Sequence, residues 1–295
     1  MEQQKWKVVL DHTCLLGEGP VWDAASQSIL WVDIEQGEIH RFSPEQKVHK
    51  TMKIGQMVGA IAPRASGGLI AALQGSFATV DMEKQTLHPI IDPEIHLPDN
   101  RFNDGKCDPA GRFWAGTMDY ISGKKGAGSL YTLHTDMSVV TRIEGVSCSN
   151  GLAWSADHRT LYYIDTPTQQ VVAYDYDPES GDIRNKRVVI TIPASSGYPD
   201  GMTIDTDGML WVACWDGWRV SRWDPSTGKL LQDILLPAAK ITSCTFGGPG
   251  LRDLYITSAK TGLNAQQLKE QPLAGSLFVI KNTGFTGHLP FAFKG

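Results

Sequence analysis

The stretch PDGMTIDTDGMLWVACWDGWRVSRWD, residues 199–224, contains the unit that decides the fold. It begins with a short apolar run, GMTID, which the polar turn DTDG separates from a second apolar run, MLWVAC. A further turn leads into GWRVSRWD, where residues alternate with the period of two that is typical of β-strands. The stretch therefore predicts consecutive short strands joined by tight turns, and the same order recurs along the chain.

The repeat becomes clear when the pair of large apolar residues inside the strongest strand of each unit is aligned. The six pairs are Leu30-Trp31, Leu69-Ile70, Phe113-Trp114, Leu161-Tyr162, Leu210-Trp211 and Leu254-Tyr255. Successive pairs are 39, 44, 48, 49 and 44 residues apart. Six units of about 45 residues need about 270 residues, and the chain has 295. We predict an all-β fold: a six-bladed β-propeller with four-stranded blades, in which residues 1–295 form a single domain.

Two segments fall outside the repeat. The run WKVVL, residues 6–10, precedes the first unit, and we expect it to join the last blade as a strand that closes the ring. Closure would remove the exposed edges that an open sheet leaves. Only NAQQLKEQ, residues 264–271, has the character of a short helix. The alternative architecture is a pair of stacked β-sandwich domains, but the repeat continues through the middle of the chain without a linker.

Composition narrows the classes of function. The formal net charge is −5 with acids and bases interleaved, so the chain lacks the basic stripe of a nucleic-acid-binding protein. The five cysteines form no C-x-x-C motif, which disfavours a disulfide framework and favours a reducing compartment. No apolar run has the length of a signal-peptide core or a membrane span. We expect a cytoplasmic protein, a monomer or weak homo-oligomer, without nucleic-acid or membrane partners.

One polar position recurs in register within the repeat. Glu18, Asn103, Asn150 and Asp200 each lie 11 to 13 residues before the aromatic anchor of their unit, where its first strand starts. The first strands of propeller blades surround a channel, so equivalent positions converge on its axis. An acidic or amide residue before glycine is common in turns, yet recurrence in four of six units favours a ring of oxygen ligands.

Such a ring suits a hard divalent cation, because these ions prefer oxygen ligands and two carboxylates balance their charge. We predict one bound divalent cation, with Ca²⁺ favoured and Zn²⁺, Mg²⁺ or Mn²⁺ as alternatives. In RFNDGK either Asn103 or Asp104 could occupy the recurring position, and Asp104 is favoured as a turn residue. The sequence has no H-E-x-x-H, G-x-S-x-G or P-loop motif, which disfavours zinc peptidases, serine esterases and nucleotide hydrolases.

Several long stretches resemble the gluconolactonase and senescence-marker-protein family. The matching stretches are GEGPVWD, RFNDGKCDPAGRFWAGTM, SNGLAWSADHRTLYYID, PDGMTIDTDGMLWVACWDGWRVSRWDPSTGKLL and TSCTFGGPGLRDLYIT. They cover the chain from about residue 14 to near its C-terminus. The resemblance implies a six-bladed propeller that hydrolyses sugar lactones, such as D-glucono-1,5-lactone, with one divalent metal.

The resemblance also implies roles for individual residues. Glu18, Asn150 and Asp200 would bind the metal, while Arg101 and Asn103 would contact the substrate. Asp200 is the preferred proton acceptor for a water that attacks the lactone, because it is both anionic and at the metal, and Glu18 is the second candidate.

The loop after Met118 departs from the family pattern. Family members have acidic residues and a longer loop there, whereas this chain reads GTMDYISGKKGAGSL. Asp119 is predicted to supply one acid toward the substrate, and Ile121 stands where a glutamate is expected, so the substrate preference is open. Two other functions use the same site: hydrolysis of aryl esters or phosphotriesters, and calcium binding without catalysis. Arg101 and Asn103 disfavour the last.

Overall fold

The computed structural model describes residues 5–295, which fold almost entirely into β-strands. The strands in this part of the chain are β1 (Trp6–Thr13), β2 (Gly17–Asp23), β3 (Ser28–Asp33), β4 (Glu38–Ser43), β5 (Val48–Lys53), β6 (Val58–Pro63), β7 (Leu69–Leu73), β8 (Phe77–Asp81), β9 (Thr86–Ile91), β10 (Asn100–Cys107), β11 (Phe113–Asp119), β12 (Gly128–Leu133), β13 (Val139–Val146), β14 (Ser149–Trp154), β15 (Thr160–Asp165), β16 (Gln170–Tyr176), β17 (Ile183–Thr191), β18 (Tyr198–Ile204), β19 (Leu210–Trp215), β20 (Arg219–Asp224), β21 (Lys229–Leu235), β22 (Ile241–Gly247), β23 (Asp253–Ser258) and β24 (Ser276–Ile280). The helical elements are α1 (Ala265–Glu270) and the single 3-10 turns Thr166–Thr168, Ala194–Ser196 and Pro249–Leu251.

The strands form six four-stranded antiparallel sheets, the blades of a propeller. Five blades take their strands in chain order, from β2–β5 to β18–β21, and the sixth combines β22, β23 and β24 with β1. The first strand of each blade is the innermost, and neighbouring inner strands contact one another around the whole ring. The prediction of a six-bladed propeller with four-stranded blades is confirmed, and the alternative of two stacked sandwiches is wrong.

The ring is closed by strands from opposite ends of the chain. β1 pairs antiparallel with β24, where Trp6 lies opposite Ile280 and Val8 opposite Phe278. The Trp6 ring also packs edge-on against Phe278, with 5.6 Å between the ring centres. The outer edge of β24 is thereby covered, as predicted for the WKVVL segment.

The apolar anchors of the repeat form the contacts between blades. Five of the six anchor side chains are fully buried: Trp31, Ile70, Trp114, Trp211 and Tyr255. Tyr162 is the exception and is only half-buried. Burial of such large side chains between neighbouring sheets supplies most of the apolar area that stabilises the fold.

A buried aspartate supports the anchor in two blades. Asp205 is fully buried, and its Oδ2 accepts hydrogen bonds from Trp211 Nε1 at 2.9 Å and from Arg222 Nε at 2.7 Å. In the third blade, Asp108 Oδ2 likewise accepts hydrogen bonds from Trp114 Nε1 and Arg112 Nε. Each of these buried carboxylates therefore has an arginine as its ion-pair partner.

The predicted short helix is confirmed as α1, which begins after Asn264. The Asn264 side chain accepts hydrogen bonds from two backbone N–H groups of the first turn. The side-chain oxygen of Gln267 accepts one from the backbone N–H of Asn264. This reciprocal capping satisfies N–H groups that the helix itself cannot pair. All five cysteines carry free thiols. Within residues 5–295, no helix is long and apolar enough to cross a membrane.

Replacement of the closing aromatic residue should weaken the whole ring. We expect Trp6→Ala to lower the free energy of unfolding by about 1–3 kcal/mol, because a half-buried indole and its contact with Phe278 are lost. Denaturant unfolding of both proteins measures the difference. Trp218→Ala is the matched control, since the Trp218 side chain is 41% exposed. An equal loss of stability in both variants would contradict the role given to the closing strand.

Candidate metal centre

The polar residues that recur in the repeat meet at one mouth of the central channel. Glu18, Asn103, Asn150 and Asp200 line an open pocket of about 800 Å³ together with Arg101. The rest of the wall comes from residues that the sequence analysis did not single out: Leu16, Met118, Cys148, Thr166, Pro167, Tyr198 and Trp215. Apolar and aromatic side chains thus surround a small group of charged and amide groups, which is the usual composition of a ligand site.

The ligand candidates lie inside strands rather than in turns. In every blade the first and second strands change register near the recurring position, and in β14 the shift falls between Ser149 and Leu152. Such a bulge turns the side chain at that point out of the regular alternation, here toward the channel. The turn interpretation of these residue–glycine pairs is therefore wrong for Asn150, and the pairs mark bulges instead.

In the fourth and fifth blades, the glycine after the ligand candidate is required by the approach of the next inner strand. A Cβ atom added to Gly151 would lie 2.8 Å from the backbone oxygen of Asp200, and one added to Gly201 would collide with the Ser243 side chain. Neighbouring inner strands can approach this closely only where a side chain is missing. The recurring glycine thus reflects packing around the channel and brings ligand candidates of adjacent blades together.

Glu18 and Asp200 are two buried carboxyl groups close to each other. Their residues are only 5% and 6% exposed. Burial, with added repulsion from Asp200 and Asp104, raises the pKa of Glu18 well above its usual range. Burial and the Asp104 charge do the same to the pKa of Asp200. Ionising both groups at neutral pH is therefore costly unless a cation lies between them.

Asn150 presents an oxygen atom that has no partner among the described residues. Its Nδ2 donates to Thr166 Oγ1 at 3.0 Å, and that hydroxyl in turn donates to the carbonyl oxygen of Pro199 at 2.8 Å. This chain orients the amide and leaves Asn150 Oδ1 buried without a hydrogen bond. An unsatisfied buried oxygen costs about 1–3 kcal/mol. Two carboxylates and an unpaired carbonyl oxygen are a donor set that fits a hard divalent cation.

Asp33 positions Glu18 from the end of the neighbouring strand β3. Its two carboxylate oxygens accept hydrogen bonds from the backbone N–H groups of Leu15 at 2.7 Å and Leu16 at 3.1 Å. These bonds hold the loop that leads into β2, two residues before Glu18. Asp33 was missed by the sequence analysis, although it lies two residues after the anchor Trp31 in LWVDI.

Asp165 has the same role for Asn150 in the fourth blade. It accepts hydrogen bonds from the backbone N–H groups of Ser147 and Cys148, the latter at 2.8 Å. Asp165 ends the second strand of its blade, as Asp33 does in the first blade. A carboxylate at this place in LWVDI and LYYID is the signal that could have identified both positioning residues.

Arg101 and Asn103 form a bonded pair on the pocket wall. Arg101 Nη1 donates to Asn103 Oδ1 at 2.8 Å and to the carbonyl oxygen of Phe102 at 2.9 Å. Asn103 Nδ2 donates to the carbonyl oxygen of Ser149 at 2.8 Å. Both ends of the Asn103 amide are thus used within the protein. Both of these hydrogen bonds use Arg101 Nη1 as the donor. Among the described residues, its Nε and Nη2 make no hydrogen bond and can donate to a bound molecule.

Asp104 differs from the turn residue that the sequence analysis favoured. It lies buried within β10, where the register shifts between Phe102 and Gly105, and its Oδ1 accepts from the Gly105 N–H at 2.7 Å. Burial raises the pKa of Asp104, while the nearby Lys106 ammonium opposes the shift. The turn interpretation is wrong because an Asp-Gly pair also suits a bulge. Asp104 adds a third buried carboxyl group to the channel.

Asp119 is not among the residues that line the pocket. Its carboxylate accepts hydrogen bonds from the backbone N–H groups of Ile121, Ser122 and Lys124, and from the Ser122 hydroxyl. It therefore caps the loop after β11. Contact between Asp119 and a substrate stays a prediction.

The fold and the donor set define a β-propeller with an oxygen-lined centre at the mouth of its channel. The family described as "SMP-30/Gluconolactonase/LRE-like region" matches residues 16–260. The chain belongs to this family, as its sequence motifs predict.

Individual relatives agree with the family. Regucalcin of Danio rerio is 44% identical over 296 residues and covers 100% of both chains. A Bacillus subtilis protein provisionally named sugar lactone lactonase YvrE is 43% identical over 283 residues, which are 96% of this chain and 97% of that one. A crystal structure described as a calcium-binding protein, regucalcin, from Agrobacterium tumefaciens superposes with a TM-score of 0.93 at 27% identity, covering 98% and 97% of the chains.

Removing one of the crowded carboxylates should stabilise the protein when chelator is present. The pKa of the Asp200 carboxyl is raised in the folded state. Such a group lowers the stability of the folded protein as the pH rises from its unfolded pKa toward its folded pKa, because only the unfolded state then ionises freely. We therefore expect Asp200→Asn to raise Tm at pH 7 by roughly 2–6 °C. The gain should shrink as the pH is lowered toward about 3, because the wild-type carboxyl is then largely protonated in both states.

Asp205→Asn is the matched control in the same blade. Asp205 is also buried, but it has Arg222 and Trp211 as partners, so its replacement should lower Tm. Thermal unfolding in chelator, followed by circular dichroism, measures both variants. A lower Tm for Asp200→Asn than for the wild type would contradict the crowding of the channel carboxylates.

Proposed function

We propose that the protein is a divalent-metal-dependent hydrolase that opens sugar lactones, such as D-glucono-1,5-lactone, to the aldonic acids. The observation that carries the proposal is the buried, unpaired Asn150 Oδ1 beside Glu18 and Asp200 at the channel mouth. Relatives named as a sugar lactone lactonase and as a calcium-binding regucalcin support the same interpretation.

Glu18, Asn150 and Asp200 would hold the cation. Their donors are all oxygen atoms, and two of the residues can carry negative charge, so Ca²⁺ is the favoured ion. When bound there, a divalent cation would polarise the ester carbonyl and make a neighbouring water more acidic. The open pocket leaves room for water and substrate next to these three side chains.

The remaining chemistry belongs to side chains of the protein. Water adds to the lactone carbonyl carbon, its proton passes to the Asp200 carboxylate, and the ring C–O bond then breaks. The released ring oxygen takes up a proton and becomes the hydroxyl of the open acid. Asp200 suits the role of base because its carboxylate would lie beside the bound cation and the water next to it.

Arg101 would orient the substrate. Its guanidinium is held against Asn103, and its remaining N–H donors can bond the hydroxyl or ring oxygens of a sugar. Burial lowers the pKa of Arg101, while the nearby Glu18 charge opposes this shift. Tyr198 and Trp215 offer aromatic walls for the apolar face of a sugar ring. Asn103 would contribute by fixing the Arg101 side chain as well as by lining the pocket.

Loss of either carboxylate should remove metal binding and turnover together. We expect Asp200→Ala and Glu18→Ala to lower the rate of acid release from δ-gluconolactone by about 10³-fold or more. The assay treats the protein with chelator, adds back Ca²⁺, Mg²⁺, Mn²⁺ or Zn²⁺ in turn, and follows acid release. Asp207→Ala is the control, because the Asp207 side chain is 64% exposed in the same blade.

The same assay separates the alternatives. Metal-dependent release from an aryl ester or phosphotriester, but from no lactone, would replace the proposed substrate class. Calcium binding without turnover of any ester would indicate a binding protein instead. Full activity of Asp200→Ala would exclude the proposed base.

Replacing Arg101 should affect substrate use without affecting the metal. We expect Arg101→Ala to reduce kcat/KM by about 10–100-fold, because hydrogen bonds from a charged donor are lost. Arg101→Lys should recover only part of the activity, since lysine keeps the charge but not the planar group. Steady-state kinetics and calcium titration measure the two effects, and the exposed Arg159→Ala is the control. Unchanged kcat/KM in Arg101→Ala would argue against substrate contact.

A further inference from the structure

A cluster of histidine and cysteine side chains lies at the junction of the first and last blades, outside the central channel. His12 belongs to the closing strand β1, Cys14 follows it, and His40 lies on β4 of the first blade. One ligand atom from each of these three side chains lies within 4.8 Å of the others. The rings of His12 and His40 are 4.7 Å apart between centres, and that of His49 packs against both.

Two nitrogen atoms in this cluster are buried without hydrogen-bond partners among the described residues: Nε2 of His12 and Nε2 of His40. His40 is completely buried. Buried polar atoms normally have a partner, and each exception needs a physical explanation. The nearest carboxylate oxygen to His40 Nε2 belongs to Glu38 and is 3.6 Å away, which is too far for a hydrogen bond.

The surroundings of the cluster are those of a ligating histidine. His40 Nδ1 lies 3.1 Å from Thr51 Oγ1 and 3.2 Å from His49 Nε2, and a proton on Nδ1 that is donated to Thr51 leaves the lone pair of His40 Nε2 free. Burial and the neighbouring His12 and His49 rings lower the pKa of His40 to about 3, so the ring is neutral. Metal-bound histidines typically donate their second nitrogen to a neighbouring acceptor in this way. Trp31 Nε1 donates to Cys14 Sγ at 3.4 Å and orients the sulfur.

We propose that His12, Cys14 and His40 form a second metal site, which takes a borderline-soft cation of the Zn²⁺ class. Two imidazole nitrogens and one thiolate are ligands that Zn²⁺ prefers, in contrast to the all-oxygen donors of the channel. A point equidistant from three atoms 4.8 Å apart is about 2.8 Å from each, and Zn²⁺ bonds of about 2.0–2.3 Å need only small side-chain movements.

Binding at this site includes a proton release. Burial and the nearby Asp33 charge raise the pKa of Cys14 to about 12, so the free side chain is a thiol. The sulfur–metal bond forms as the thiol proton leaves to solvent, and the site loses its attraction for metal as the pH falls. Glu38 or a water molecule is available for the fourth position of a tetrahedral site.

The site would link the two ends of the ring. His12 and Cys14 lie in or next to the strand that closes the last blade, whereas His40 belongs to the first blade. A metal bound here would connect these blades directly and stabilise the closed state over the unfolded chain. The channel could bind its own cation at the same time, because the two donor sets share no residue.

Cobalt binding tests the proposal independently of lactonase activity. The full-length protein is treated with chelator, supplied with excess Ca²⁺, and titrated with Co²⁺ while the near-ultraviolet thiolate-to-cobalt absorption is recorded. We expect one equivalent of Co²⁺ to produce this absorption in the wild type. Cys14→Ser should abolish it, and His12→Gln, which changes a half-buried side chain, should weaken binding at least about tenfold.

Cys148→Ser and Asp200→Ala are the matched controls, because both residues line the channel pocket rather than this cluster. The absorption should persist in both. No absorption in the wild type, or absorption that survives Cys14→Ser but disappears in Cys148→Ser, would overturn the proposal.

Thermal unfolding provides a second readout if Cys14→Ser folds poorly. At about a hundredfold excess over its Kd, Zn²⁺ should raise Tm by roughly 5 °C in the wild type and in Cys148→Ser. The shift should fall to about half or less in His12→Gln at the same Zn²⁺ concentration. An equal shift in all three proteins would place the zinc elsewhere and overturn the proposed link between the blades.

Discussion

The pairing of β1 with β24 is the constraint on which the rest of the molecule depends. It joins residues 6–8 to residues 278–280 and converts six consecutive sheets into a closed ring. Without closure, β24 of the sixth blade would expose its outer edge and the inner strands would not surround a channel. The pocket includes Glu18 from the first blade and Asp200 from the fifth, so their distance is set by the ring as a whole.

Within this ring, the polar groups buried at the channel mouth lower the stability of the folded protein. Glu18, Asp104 and Asp200 are buried together, and the amide oxygen of Asn150 lacks a hydrogen-bond partner within residues 5–295. By contrast, Asp108 and Asp205, which are equally buried, each have an arginine and a tryptophan as partners. Among the described residues, the buried carboxyls that support blades thus form ion pairs with arginines, whereas those at the channel form none. This difference is expected where a cation is to be bound.

Much of the architecture could be predicted from the sequence because each blade repeats one local pattern. The aromatic anchors, the turns between strands and the closing WKVVL segment all follow from residue type and spacing. The bulges were not anticipated, since residue–glycine pairs suit turns as well as bulges. Asp104-Gly105 was therefore placed at a turn, although it lies inside the inner strand β10.

By itself, the sequence determined the six-fold repeat, the strand order within each blade and a recurring polar position in four of the six blades. Only the tertiary structure decided that Asn103 uses its amide to hold Arg101, that Asp119 caps a loop, and that Asp33 and Asp165 fix the loops before two ligand candidates. It also brought His12 and Cys14 next to His40 across the closing junction. Contacts of this kind depend on the angle between blades and on ring closure, which arise from packing of the whole chain and leave no local pattern in the sequence.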